Sequence, residues 1–88
     1  MQLEEFKSLT LFKRIKELYV EGEFITSIRY YRYKVNLFLL HGFYVEAFYH
    51  PKTDRIEKIT PFNANNSRRK FYTDQIKLPK NLFHQTPD

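Results

Sequence analysis

Residues 34–50 constrain this chain more than any other stretch. They read Lys-Val-Asn-Leu-Phe-Leu-Leu-His-Gly-Phe-Tyr-Val-Glu-Ala-Phe-Tyr-His, two runs of β-branched and aromatic residues around His41-Gly42. Such runs favour strands, and His41-Gly42 suits a two-residue hairpin loop in which Gly supplies the positive φ of a primed turn. Closing the hairpin there sets Leu40 against Phe43, Phe38 against Val45 and Asn36 against Ala47 on one face. The other face pairs Leu39 with Tyr44, Leu37 with Glu46 and Val35 with Phe48. Both faces are largely apolar, whereas an antiparallel sheet with one wet face alternates apolar and polar residues. Each face therefore needs a cover. Residues 30–49 hold eight of the sixteen Phe and Tyr residues, which concentrates that demand.

Leu9–Tyr19 supplies one cover. At ~100° per residue, Leu18, Leu11, Ile15, Tyr19 and Phe12 fall within an arc of about 120°, opposite Lys16, Lys13, Glu17 and Arg14. Ser8 or Thr10 caps this amphipathic helix, and Gly22 suits a left-handed residue at its end. Phe24–Tyr31 then alternates as a first strand, with Lys34–Leu40 the second and Phe43–His50 the third. Pro51-Lys52-Thr53-Asp54 reads as a turn, and Arg55–Thr60 as a short fourth strand stopped by Pro61. Arg68–Ile76 is either a short helix presenting Tyr72 and Ile76 at i and i+4 or an extended segment, ended by Leu78-Pro79. The expected fold is α+β: an N-terminal amphipathic helix on a three- or four-stranded antiparallel meander, with a short C-terminal helix as an option. Residues 1–83 form one small domain and 84–88 a frayed tail. The second sheet face is covered by the C-terminal segment or by a second subunit.

Eighty-eight residues without cysteine exclude disulfides and thiolate zinc sites. The opening Met-Gln-Leu-Glu-Glu-Phe carries acids where a secretory signal carries bases, and the longest apolar run, Leu37–Leu40, is far short of a membrane span. A cytoplasmic protein with no membrane partner is expected. Net charge is +5, unevenly spread. Arg29, Arg32 and Lys34 stand without an acid in residues 24–45, and Arg68, Arg69, Lys70, Lys77 and Lys80 face only Asp74 and Asp88 after residue 60. A basic surplus of this kind bears on partners rather than on fold.

No catalytic motif is present. Gly22 and Gly42, the only glycines, form no phosphate-cradling loop, and Ser8, Ser27 and Ser67 lack a nucleophile elbow. His41, His50 and His84 make no metal-ligand spacing, so neither a metal nor another cofactor is expected. Glu46, a lone acid on an apolar strand, is read as a structural residue that pairs with Lys34 or Lys58 or points to the rim, ahead of an acid–base role. Tyr49, His50, Lys52 and Arg55 around one turn have the chemistry of a small metal-independent ribonuclease, but any basic strand–turn–strand would show it.

Two binding readings stand out. In the leading one, the chain is a small non-catalytic module that self-associates, as a dimer, or meets a protein partner. Its interface is the aromatic sheet face carrying Leu37, Leu39, Tyr44 and Phe48. In the second, Arg29, Arg32, Lys34, Arg68, Arg69 and Lys70 hold the phosphates of single-stranded nucleic acid while Tyr31 and Tyr33 stack its bases. No recognised RNA-binding signature accompanies these residues.

Overall fold

A computed structural model describes residues 1–63 and 65–75. The chain runs α1 (Leu3–Lys7), α2 (Leu11–Glu21), β1 (Glu23–Tyr30), β2 (Tyr33–Leu40), β3 (Phe43–Tyr49), β4 (Ile56–Phe62) and α3 (Arg69–Gln75). The four strands form one antiparallel sheet in chain order, an α+β meander with helices at both ends of the chain. The expected ending at Leu78-Pro79, the role of Ile76 and the tail at 84–88 lie outside the described residues.

The β2–β3 register is the one the pattern predicts, from Leu40↔Phe43 to Val35↔Phe48. Both turn residues have positive φ, 51° at His41 and 86° at Gly42, as a primed turn requires. β4 continues through Pro61 rather than stopping before it. It is an edge strand, so the missing N–H costs no ladder bond on the open side.

Both faces are covered. On one, Phe6 of α1 and Leu18 of α2 join Leu40, Val45, Ala47 and Ile59 in a buried cluster. On the other, Tyr72 of α3 packs with Ile28, Val35, Leu37, Phe48 and Phe62. Over Leu37 and Phe48, the cover is thus the chain's own C-terminal segment.

The N-terminal region departs from the pattern in five ways. α1 adds a helix that periodicity over five residues cannot announce, and its Phe6 takes a core position. α2 begins at Leu11 because the Thr10 hydroxyl accepts the Lys13 N–H at 3.3 Å. Its expected core arc is rotated: Leu18 is buried, but Phe12 is 69% and Tyr19 71% exposed. Arg14, expected on the wet side, instead turns inward. Its guanidinium donates to the carbonyls of Leu9 (3.2 Å), Lys7 (2.9 Å) and Ile59 (2.5 Å), joining α1, α2 and β4. It also lies 5.2 Å from the Phe6 ring centre. At Gly22, φ is −79°, so no left-handed residue ends the helix. Glycine is required there by space, since a Cβ would sit 2.5 Å from the Leu18 carbonyl oxygen.

Candidate nucleic-acid interface

In an antiparallel meander the first and third connections lie at the same end of the sheet. Here these are the Tyr31-Arg32 turn and the 50–55 turn. On them or within three residues stand Arg29, Arg32, Lys34, Lys52, Arg55 and Lys58, against Asp54 and Glu57. At the opposite end, residues 17–23 contribute Glu17, Glu21 and Glu23 without a base. The molecule is therefore polar along its strands, a property that follows from topology rather than from total charge.

The tip of the first hairpin is built around one unusual residue. Tyr31 has φ 55° and is 86% exposed, and its ring meets Tyr30 edge-on at 4.6 Å. Arg32 beside it lies 5.2 Å from the Tyr33 ring centre and donates to the Tyr33 hydroxyl at 3.3 Å. Register separates the remaining candidates. Arg29 pairs with Lys34 on the face that carries α1 and α2, whereas Tyr30 pairs with Tyr33 on the α3 face.

The second basic segment comes to the same neighbourhood. Phe71 packs against Tyr30 at 5.9 Å, and α3 contacts β1. Arg69 and Lys70 thus begin a helix next to the ring that supports Tyr31, with the Lys70 ammonium 5.6 Å from the Phe71 ring centre.

Arg68 has a different task. Its Nε donates to both oxygens of Glu46 (3.1 and 3.0 Å), and its Nη2 donates to Oε1 at 2.7 Å. The Tyr72 hydroxyl donates to the other oxygen, also at 2.7 Å. Glu46 is completely buried, and burial together with this carboxylate pushes the Tyr72 phenol far above its usual range. The Arg68 guanidinium is further flanked by the rings of Tyr30 (5.1 Å) and Phe48 (5.3 Å). The partners expected for Glu46 are elsewhere: Lys34 belongs to the opposite face, and the Lys58 ammonium lies 4.5 Å from the Phe48 ring centre. The i, i+4 spacing of Arg68 and Tyr72 is the sequence signal that could have linked them to Glu46.

The ribonuclease-like cluster is also resolved. His50 Nδ1 accepts the N–H groups of Lys52 (3.1 Å) and Thr53 (3.4 Å), so its lone pair is committed to the turn. Tyr49 and Arg55 line a crevice instead, together with Ile15, Tyr19, Asp54 and Ile56. Burial, followed by Tyr19, holds the Tyr49 phenol above its ordinary value. Among the described residues, no group of three or more metal-ligating side chains occurs.

Of the sheet-face candidates, Leu37 and Phe48 are buried, and Leu39 and Tyr44 are half-buried on the same face. The large exposed apolar residues sit elsewhere: Phe12, Tyr19, Val20 (75%) and Phe24 (55%), the last edge-on to Phe38 at 5.8 Å. No helix among the described residues is long and apolar enough to cross a membrane. Compared with protein-family models, curated proteins and solved structures, the chain matches none.

Proposed function

We propose that this chain is a non-catalytic module that binds single-stranded nucleic acid at its hairpin-tip end. The observation carrying this reading is Tyr31. A bulky aromatic stands almost fully exposed on a left-handed turn, amid six basic side chains on the two tips. Burial gives no reason for it, since its ring touches little beyond Tyr30. Stacking on an unpaired base does, at about 1–3 kcal/mol per base. Arg29, Arg32 and Lys34, with Lys52 and Arg55 across the end of the sheet, then neutralise the backbone. Arg69 and Lys70 extend the charged surface from α3. Arg68 and Tyr33 support it from below, and do not meet the strand.

The test is fluorescence anisotropy with a labelled oligouridine. Tyr31→Asn should weaken binding about tenfold while the fold stays intact. Unchanged affinity in that variant would remove Tyr31 from the interface.

A second reading is favoured by Phe12, Val20 and Phe24, three large apolar side chains of α2 and β1 that each stand more than half exposed. Protein contact, including self-association, would use this α2–β1 surface, because Leu37 and Phe48 are already covered within the chain. Light scattering after size exclusion tests self-association. A mass that doubles in the native chain and stays monomeric in Phe12→Ser/Phe24→Ser supports it; a native monomer across micromolar concentrations contradicts it.

A further inference from the structure

Next to the hairpin tips, a crevice of about 390 Å3 opens between α2 and the start of β4, within the size range of small-molecule sites. It is lined by Tyr19 and Tyr49, by Ile15 and Ile56, and by one acidic and one basic residue, Asp54 and Arg55. Asp54 is held firmly. Its N–H donates to the His50 carbonyl at 2.9 Å, the His50 N–H donates to the Arg55 carbonyl at 2.9 Å, and φ at Asp54 is 56°.

Donors and acceptors both line the crevice: Arg55 only donates, and the Tyr19 and Tyr49 hydroxyls do either. An ionised carboxylate only accepts. A ligand that brings donors to that carboxylate is preferred over one that sets an acceptor against it. Positive charge gathers around the crevice: Arg55 is among the lining residues, Lys34 pairs across the strands with Tyr49, and Lys52 lies on the same turn.

Two aromatic residues, a carboxylate and neighbouring cations together suit a planar base bearing a phosphate. Among the nucleobases, guanine alone presents two adjacent donors, N1–H and N2–H, that both oxygens of one carboxylate can accept. Adenine and cytosine place an acceptor next to their amino donor, and uracil flanks its single donor with two carbonyls, so each would set an acceptor against the carboxylate. We infer that the crevice takes a guanine base, with Asp54 reading its donor edge, Tyr49 and Tyr19 stacking on it, and Arg55 holding the attached phosphate. This specificity rests on the nucleic-acid reading above for the strand that would deliver the base; a free guanine nucleotide shares the same chemistry.

Titration of the full chain at ~50 mM salt, followed by calorimetry, tests it with GMP, AMP, an all-uridine oligomer and the same oligomer carrying one central guanosine. GMP should bind about tenfold more tightly than AMP, and the single guanosine should tighten strand binding several-fold. Asp54→Asn should erase both preferences without weakening the all-uridine strand, since it removes a negative charge from the tip end. Asparagine tolerates the left-handed backbone at this position, and a circular dichroism spectrum matching the native one confirms the fold. Equal affinity for GMP and AMP, or a preference that survives Asp54→Asn, overturns the assignment. If the all-uridine strand binds but guanosine adds nothing, the crevice assignment fails and the hairpin-tip interface stands. Tight GMP binding with no strand affinity supports the crevice and overturns the strand reading. Failure of every ligand to bind overturns both.

Discussion

Tyr31 illustrates how a single side chain can work against the stability of its own fold. A non-glycine residue at φ 55° costs roughly 1 kcal/mol, and at 86% exposure little burial offsets it. Tyr31→Asn is therefore expected to leave stability unchanged or raise it by up to about 1 kcal/mol in urea unfolding, while RNA affinity falls. A loss of stability above ~1 kcal/mol would mean that Tyr31 is structural. The Glu46–Arg68–Tyr72 group lies at the other extreme. Removing Arg68 leaves a fully buried carboxylate without its cation, so Arg68→Met should cost about 3 kcal/mol, and Tyr72→Phe about 1.5 kcal/mol. Tyr72 also sets a pH dependence. Its folded-state pKa is raised, so its contribution is complete below the unfolded value near ~10 and declines at higher pH, where only the unfolded state releases the proton. Stability should fall above about pH 10, and less steeply in Tyr72→Phe. Tyr44 and Tyr49, both raised mainly by burial, retain part of that slope.

At the scale of elements, the hairpin was the most legible part, because a two-residue loop fixes which residue of β2 faces which of β3 and both runs carry strong strand formers. Where several weak cues competed, reading was harder. The apolar arc of α2 identified a helix, but its rotation depends on Arg14 reaching carbonyls at Lys7, Leu9 and Ile59, contacts that no periodicity encodes. Arg14→Ala should cost about 2 kcal/mol, measured by urea unfolding, with loss of order in α1 as its consequence. The two glycines also separate by mechanism. Gly22→Ala forces a backbone oxygen away from a contact of 2.5 Å and should cost about 2 kcal/mol. Gly42→Ala meets nothing within 4 Å and should cost about 1 kcal/mol, from its positive φ alone. If the two variants were equally stable, this distinction would be wrong.

For the molecule as a whole, the need for two covers on the sheet was visible in strand parity, and the choice between the chain's own C-terminus and a partner was not. That choice depends on Arg68 and Tyr72 finding Glu46 across more than twenty residues, a long-range contact that local pattern does not contain. The basic residues were legible one by one, but their gathering at one end required the order of the strands. The central claim is that this end binds single strands through charge and stacking. Anisotropy of a labelled oligouridine between about 50 and 200 mM salt tests it most directly. The account predicts a Kd near ~10 μM at the lowest salt and a logarithmic salt slope of about −2 to −3, as three or four phosphate contacts would give. In Arg29→Gln/Lys34→Gln, that slope should become shallower by about one. No binding at ~50 mM salt, or binding that is indifferent to salt, would contradict it.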